Sequence, residues 1–382
     1  MTVFMLDVVA IWLLGEIVLR IIPIPGIYYN VYRYDPYVGG GLYPHTTEIY
    51  RDHNKAFVKR KVNRWGYLDK DHPPAKPAGN YRIGFFGDSF TQARHVPLAQ
   101  TFFRIIENRL KTYSVESLAI GIRGYSMLQS YLNSRRWVPF FDIDMVVYVF
   151  VENDLGDQLP EVDRYGDKPY PRIKADGFDI DYGFRARNQY KMTGIYPIVD
   201  FLAARSLFFA TLTERLKLLR RHGIKIRATE ADRTMATGRN RNGEVTSNDL
   251  PSSWSADLKA KALKTGAAVL SKWHLEAINQ KKGFAVLYVP RETEFKKKTH
   301  NQDSWKLWLE TFCKKQGITF IDPSAEMTAV ESSGQRVFYD HFTKAGHAAF
   351  AEAFIKWFKR LNKDKSKTAK CFYNPLKNGA FS

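Results

Sequence analysis

The tripeptide Gly87-Asp88-Ser89 places a candidate nucleophile directly after a short apolar run, Arg82–Phe86. A run of this length that stops at a glycine predicts a buried strand, so Ser89 stands where a strand passes into a helix. There its hydroxyl faces the crevice, and its N–H, near a helix N-terminus, can stabilise an oxyanion. A serine hydroxyl is a weak nucleophile and needs a neighbouring base. The alternative is that Asp88 and Ser89 only cap a helix.

Three further segments carry glycine or polar side chains at predicted strand ends or helix starts. Residues 121–126 follow the second strand candidate, and their glycines allow close approach of the backbone to a ligand. Residues 152–154 follow the third, and the side-chain amide of Asn153 can donate to an oxyanion. Residues 340–347 open the last predicted helix and supply His341 as a candidate base. In an open α/β sheet the carboxyl ends of the strands carry the ligand site, so these segments should meet there.

In this order, the four blocks resemble the SGNH hydrolase superfamily, the GDSL-type esterases, lipases and acyltransferases. The lead-in Asn63–Tyr67 and the N-terminal apolar segment also resemble its membrane-anchored bacterial members. The resemblance implies Ser89 as the nucleophile and His341 as its base. It also implies that Gly124 and Asn153 are oxyanion donors. The histidine precedes Gly346 with the spacing that the family requires. No metal ion or other cofactor is expected.

The chain departs from the family pattern at three positions. Ala119 stands where the family usually carries Asn, and Glu152 replaces the Gly before Asn-Asp. The acid that orients the histidine normally comes two or three residues before it, whereas here Asp340 precedes it directly. Asp340 is the predicted acid. The alternatives are a Ser-His pair steadied by a backbone carbonyl, or a carboxylate from elsewhere, such as Asp322.

Alternating strand and helix patterns predict an α/β fold, a three-layer sandwich with a mainly parallel five-stranded sheet of the SGNH or flavodoxin-like kind. The strand candidates are 82–86, 115–120, 145–151, 283–289 and 318–321. The family resemblance covers 81–153 and about 283–361. An insertion at about 155–282 interrupts the pattern after the third strand and is predicted to form a cap over the site.

The predicted domain organisation is a hydrophobic helix at 1–25, a lead-in segment at 26–80, the SGNH-type domain at 81–362 and a basic tail at 363–382. The apolar stretch Val3–Pro23 has the ~20 residues needed to cross a bilayer. Its charged residues Glu16 and Arg20 stand at i, i+4 and can pair. We therefore predict a membrane anchor at a bacterial inner membrane, with the catalytic domain periplasmic or extracellular. The alternative is a helix packed on the domain.

The chain is basic, with 58 Lys and Arg against 39 Asp and Glu and a net charge of +19. This charge favours a nearby polyanion such as anionic lipid or an acidic polysaccharide. No nucleic-acid motif accompanies it, so nucleic acid is not an expected partner. Two cysteines without C-x-x-C spacing argue against a structural zinc site or a disulfide scaffold. His45, His53 and His72 also lack metal-ligand spacing and are expected at the surface.

The expected function is that of a serine esterase, which cleaves carboxylic esters through an acyl-enzyme and removes small acyl groups from a glycan. Two alternatives use the same chemistry, an O-acyltransferase of polysaccharide modification and a lipase or lysophospholipase. A further alternative is a catalytically degenerate protein that serves in membrane assembly. The expected partners are an acylated carbohydrate or lipid substrate and, through the N-terminal helix, a membrane.

Overall fold

The structure is a computed structural model that describes residues 2–22, 29–52, 56–163, 166–225, 254–292, 294 and 304–364. The helices are α1 (Thr2–Ile21), α2 (Ser89–Gln92), α3 (Phe102–Arg109), α4 (Met127–Phe140), α5 (Asp154–Asp157), α6 (Phe184–Arg187), α7 (Tyr196–Ala203), α8 (Leu207–Lys225), α9 (Ala256–Asn279), α10 (Ser304–Gln316), α11 (Ser324–Ser332) and α12 (Lys344–Asp364). The strands are β1 (Tyr32–Asp35), β2 (Gly39–Leu42), β3 (Thr47–Arg51), β4 (Phe57–Lys61), β5 (Tyr81–Gly87), β6 (Val115–Gly121), β7 (Met145–Phe150), β8 (Tyr170–Lys174), β9 (Gly177–Asp181), β10 (Gly283–Tyr288) and β11 (Thr319–Ile321).

A five-stranded parallel sheet forms the centre of the fold, in the order β11-β10-β7-β5-β6. Each predicted strand candidate corresponds to one of these strands. Apolar runs bounded by turns were sufficient to locate them, because parallel strands are buried on both faces. The predicted five-stranded parallel α/β sheet is confirmed.

Two helical layers cover the sheet, and neighbouring residues of one strand face opposite layers. Phe85 packs on Phe102 of α3 and Phe354 of α12, with ring centroids 5.2 and 5.4 Å away. Its neighbour Phe86 faces Trp273 of α9 at 6.1 Å. This alternation follows from the two-residue period of a strand. The sheet is therefore the middle layer of a sandwich, with α3 and α12 on one face and α4 and α9 on the other.

Helix α9 belongs to this sandwich, although the predicted insertion at about 155–282 includes it. Its buried positions recur every three or four residues, the spacing of one face of a helix. They are Ala262, Gly266, Val269, Trp273 and Ala277. The helix packs against α4 and β10. Residues 229–253 of the predicted insertion and all but the first two residues of the predicted tail at 363–382 lie outside the described residues.

A buried network of ion pairs attaches the lead-in segment to the sheet. His72 Nδ1 lies 2.7 Å from Glu116 Oε1, and its Nε2 lies 3.2 Å from Asp69 Oδ2. Arg82 Nε donates to Glu116 Oε2 at 2.7 Å, and Arg104 pairs with Asp69 at 3.3 Å. Burial lowers the pKa of His72, but hydrogen bonds to the two carboxylates outweigh burial and raise it above its ordinary value. The expectation of an exposed His72 is therefore wrong.

Helix α1 contains most of the apolar stretch that was predicted to cross a membrane. Within the residues that the structure describes, no helix is long and apolar enough for a bilayer crossing. Asp7, Glu16 and Arg20 interrupt the apolar run, and the Glu16 carboxylate accepts hydrogen bonds from Ser206 Oγ at 2.7 Å and Phe208 N at 3.0 Å. The predicted membrane anchor is wrong. The same finding overturns the predicted location, a bacterial inner membrane with a periplasmic or extracellular catalytic domain.

We expect His72→Gln to lower the free energy of unfolding by about 2–4 kcal/mol, because two buried carboxylates lose a charged donor. The folded-state pKa of His72 is raised above 6.5. Its contribution is therefore complete below that pH and is lost as the pH rises through the folded-state value. Denaturant unfolding at about pH 6 and about pH 9 measures this difference. His45→Asn, at an exposed position, is the control. An equal loss at both pH values would contradict the assigned role.

Candidate active site

The turn between β5 and α2 presents Ser89 at the carboxyl end of the sheet. Only Asp88 separates the strand from the helix. A Cβ at Gly87 would lie 2.5 Å from Thr91 Oγ1 and 2.9 Å from a carbonyl oxygen of β7, so glycine is required there. Asp88 Oδ1 accepts a hydrogen bond from the Phe90 N–H at 2.9 Å and caps the helix. The same turn therefore caps α2 and presents the Ser89 hydroxyl at the carboxyl end of the sheet.

The structure brings His341 to Ser89, with the imidazole Nε2 2.8 Å from the serine Oγ. The chain reverses direction at the histidine, where Phe338 and Phe342 pair in an antiparallel bridge. This reversal comes directly before α12 and turns the imidazole towards the end of β5. The pair therefore has the contact that a serine and its general base require.

The glycine five residues after the histidine has a packing role. A Cβ at Gly346 would lie 2.2 Å from the carbonyl oxygen of Val337, so a larger residue would displace the turn that carries His341. The next residue, His347, is buried and accepts a hydrogen bond at Nδ1 from the Phe102 N–H at 3.3 Å. Burial lowers its pKa to about 3. His347 is therefore a neutral residue of the core.

The structure places Asp340 beside His341, and the contact with the imidazole lowers the pKa of the Asp340 carboxyl. Asp340 Oδ2 lies 3.2 Å from His341 Nδ1. That distance suits a hydrogen bond, but the direction does not, and Nδ1 has no hydrogen-bond partner among the described residues. The Asp340 side chain is 68% exposed. The alternative acid, Asp322, accepts from the Ser324 N–H at 2.9 Å and pairs with Lys306 at 2.8 Å.

Two aromatic rings contact the imidazole of His341. The Phe90 ring is tilted, with its centroid 4.8 Å away at an interplanar angle of 30°, and the His95 ring is stacked, 3.9 Å away at 22°. His95 is therefore the nearer and more nearly parallel of the two rings. Sequence reasoning did not single out His95.

His95, Asp340 and His341 also bring three potential metal ligands within 4.8 Å of one another. A ring nitrogen directs its lone pair in the plane of the imidazole. Two rings stacked nearly parallel therefore cannot aim their lone pairs at one ion between them. The ring orientations identify a stacked pair beside a carboxylate and do not fit a metal centre.

The candidate oxyanion donors follow the two strands that flank β5. Gly124 comes three residues after the end of β6, and Asn153 comes three residues after the end of β7. Gly124 is exposed and has φ +76°, in the left-handed region that favours glycine. Asn153 Nδ2 donates to Asp157 Oδ2 at 2.8 Å, which leaves its second amide hydrogen for a ligand. The structure thus brings all four predicted blocks to one edge of the sheet.

Gln92 connects the nucleophile helix to the neighbouring loop. Its Oε1 accepts a hydrogen bond from the Arg123 N–H at 3.0 Å, and its Nε2 donates to Glu48 Oε2 at 3.0 Å. Because Arg123 directly precedes Gly124, the first bond fixes the glycine relative to α2. Sequence reasoning missed Gln92, since no local motif marks a contact between residues so far apart in the chain.

Buried carboxyl groups lie directly behind the nucleophile. Burial raises the pKa of Asp88 to about 6 and also raises the pKa of Asp157. Burial raises the pKa of Asp154 as well, although this carboxyl accepts hydrogen bonds from Tyr148 Oη at 2.6 Å and from the Val151 N–H at 3.0 Å. Such perturbed groups in a cleft are typical of functional sites.

Glu152, which replaces the glycine of the family pattern, forms an ion pair with Arg291 through both carboxylate oxygens. The Glu152 side chain is almost fully buried, and a buried acid requires such a partner. The pair joins the loop after β7 to the segment after β10. Arg291 is therefore the cation that pairs with the Glu152 carboxylate, and the sequence analysis did not identify it.

The chain is similar to solved structures of esterases. No family model and no curated protein matches the chain. Among solved structures, it is similar to the acetyl xylan esterase AlAXEase at 14% identity and a TM-score of 0.37, over 72% of this chain and 98% of that chain. It is also similar to a member of the lipolytic protein G-D-S-L family from Veillonella parvula DSM 2008, at 14% and 0.37, over 73% and 99%. A third similarity is to Axe2, an acetylxylan esterase from Geobacillus stearothermophilus, at 14% and 0.39, over 74% and 95%.

These solved structures are esterases and a lipolytic protein, the classes that the sequence motifs indicate. Because their TM-scores lie below 0.5, the functional argument for this chain rests on its own residues. The observations that carry it are the Ser89–His341 contact and the order of the four blocks along one sheet edge.

We expect Asp88→Asn to stabilise the protein at neutral and alkaline pH, by up to about 3 kcal/mol. The folded-state pKa of Asp88 is raised from 3.8 to about 6. Ionisation of Asp88 therefore destabilises the folded protein. This destabilisation is absent below about pH 3.8 and complete above about pH 6. An asparagine oxygen can still accept from Phe90 N–H. Thermal unfolding between about pH 4 and about pH 8 should show a gain for the variant that grows with pH. Asp176→Asn, at an exposed turn, should show none, and a flat difference for Asp88→Asn would exclude the assigned cause.

Proposed function

We propose that this protein is a serine ester hydrolase in which Ser89 is the nucleophile and His341 its general base. One observation carries the proposal, the 2.8 Å contact between His341 Nε2 and Ser89 Oγ at the carboxyl end of the parallel sheet. A helix cap alone requires no histidine at this hydroxyl. The contact joins residues 252 positions apart in the chain, so local turn geometry does not produce it.

In the proposed mechanism His341 Nε2 takes the proton of Ser89 as Oγ attacks the ester carbonyl. The oxyanion is stabilised by the N–H groups of Ser89 and Gly124 and by the side-chain amide of Asn153. His341 then gives its proton to the departing alcohol, which leaves an acyl-enzyme. Water, activated by the same imidazole, attacks the acyl group and releases the acid and Ser89. Asp340 is the proposed carboxylate beside His341 Nδ1.

The surroundings of Ser89 support a polar ester with a small acyl group as the substrate. The exposed residues there are Arg123, Gly124, Tyr339 and Asp340. The guanidinium of Arg123 lies over the ring of Tyr32, with Cζ 4.3 Å from the centroid. The large cavity of about 1060 Å³ lies at the opposite end of the sheet and touches none of the proposed site residues. An open polar mouth with aromatic rings suits an acylated carbohydrate better than a long-chain lipid.

We expect a fluorophosphonate probe to label the native protein, and Ser89→Ala to abolish the labelling because the attacking oxygen is absent. His341→Ala should reduce the labelling rate by at least about 10²-fold. Ser333→Ala, at an exposed serine, is the matched control and should label normally. Absence of labelling in the native protein would sink the serine-enzyme proposal, and labelling that survives Ser89→Ala would sink the site assignment.

The class of reaction is tested with an acetylated xylo-oligosaccharide and with p-nitrophenyl esters of short and long acyl chains. Release of acetate and a preference for the short acyl chain are the expected results. Mass spectrometry of an added, unacetylated oligosaccharide detects transfer, because the open mouth would also admit a sugar hydroxyl in place of water. Acetyl groups on the acceptor would identify an O-acyltransferase. Faster cleavage of the long-chain ester would identify a lipase.

We expect Asn153→Ala to lower kcat by about 10²–10³-fold with little change in KM, because the amide acts on charge that develops in the transition state. Steady-state kinetics with the acetyl ester measures both constants. Asn279→Ala, at an exposed helix end, is the control. A change confined to KM would contradict the oxyanion role.

A further inference from the structure

The imidazole of His341 lacks the support that a carboxylate normally gives to a catalytic histidine. In such a triad the acid accepts a hydrogen bond from Nδ1–H and holds the ring plane. Here Nδ1 has no hydrogen-bond partner among the described residues, and the nearby Asp340 side chain is 68% exposed. An exposed carboxylate is screened by solvent and orders a neighbour only weakly. The contact with His341 still lowers the pKa of Asp340, so the carboxylate restrains the ring only weakly and a second restraint on the imidazole would add to it.

The stacked rings supply this constraint. His95 lies 3.9 Å from the His341 centroid at 22°, closer and more nearly parallel than Phe90 at 4.8 Å and 30°. With the His95 ring stacked 3.9 Å away, rotation of the imidazole about Cβ–Cγ would bring its edge into that ring. The contact between the two histidines is through ring faces, and His95 Nε2 has no hydrogen-bond partner among the described residues.

The segment that carries His95 is itself fixed. The buried side chain of Arg60 donates from Nη1 to the carbonyl oxygens of Ala93 at 2.6 Å and Val96 at 2.9 Å, on either side of His95. The ring of Tyr50 meets the His95 ring edge-on at 4.5 Å and 80°. The His95 ring is therefore held by a backbone clamp and by an aromatic neighbour, and it can act as a rigid wall.

The charge on His95 suits this role. Burial, followed by the charges of His341, Arg94, His347 and Arg60, lowers the pKa of His95 well below its ordinary value. His95 therefore stays neutral when His341 takes a proton. A neutral aromatic face attracts a cation that lies over it, whereas a second imidazolium would repel it.

We propose that His95 is a positioning residue for the general base: its ring, stacked on His341, orients the imidazole towards Ser89 and stabilises the imidazolium formed during acyl transfer. This inference rests on the proposed function, because it assigns His341 the role of base. It concerns His95 as a ring, since neither of its nitrogens takes part in the reaction.

The test compares His95→Ala, which removes the ring, with His95→Phe, which keeps a ring and removes both nitrogens. We expect His95→Ala to slow fluorophosphonate labelling by about 5–30-fold, the size of a partly buried cation–π contact. His95→Phe should stay within about threefold of the native rate. Circular dichroism melts confirm that both variants are folded. The inference is overturned if His95→Ala is labelled at the native rate. It is also overturned if His95→Phe is labelled as slowly as His95→Ala.

Asp340→Ala is the third variant. If it slows labelling more than His95→Ala does, the carboxylate is the group that orients His341, and the inference is wrong. We expect the smaller effect for Asp340→Ala.

A second measurement does not depend on activity. In protein with labelled histidines, the His341 ring protons, assigned with His341→Gln, should show upfield ring-current shifts. These shifts should decrease in His95→Ala, where only the Phe90 ring remains, and persist in His95→Phe. If native Ser89 is not labelled but the shifts behave in this way, the proposed function fails and the stack stands. If Ser89 is labelled but the shifts are unchanged in His95→Ala, the inference alone fails.

Discussion

The site depends on the parallel pairing of β5 with β6 on one side and β7 on the other. The register sets Gly87 opposite Gly121 and Phe86 opposite Tyr148, so the turns after the three strands begin at the same level. These turns pack so closely that side chains are excluded between them. A Cβ at Gly121 would lie 2.9 Å from the carbonyl oxygen of Asp88. Glycine at 87 and at 121 is therefore the condition under which the Ser89 hydroxyl and the candidate oxyanion donors share one edge.

The buried ionisable groups considered at the two ends of the sheet differ in their partners. At the amino end, Arg82 and Glu116 stand at the second positions of β5 and β6 and belong to a network of opposite charges. At the carboxyl end, burial and neighbouring carboxylates raise the pKa of Asp88 and of Asp154. The paired end stabilises the fold, whereas ionised acids at the other end cost stability. Unfavourable burial of this kind is tolerated where a site requires it.

The parts of the structure that could be predicted from the sequence are those that local pattern determines. Apolar runs located the five sheet strands, and motif spacing selected Ser89 and His341 as a pair. The stack of His95 on His341 has no local signal, because it joins positions far apart in the chain. The spacing of Val269, Trp273 and Ala277 did contain a signal for α9, but the surrounding polar residues obscured it. The apolar N-terminal run misled the prediction because Glu16, besides pairing with Arg20 in its own helix, has partners at the start of α8.

The geometry around His341 divides between two groups a task that one carboxylate performs in a Ser-His-Asp triad. A ring stack fixes the plane of an imidazole but does not distinguish its two nitrogens, because both tautomers present the same faces. The carboxylate of Asp340, 3.2 Å from Nδ1, favours the tautomer with the proton on that atom. Nε2 then keeps a lone pair for the proton of Ser89. In the proposed mechanism the displaced acid therefore has only to select the tautomer, since the orientation of the ring is assigned to His95 and Phe90.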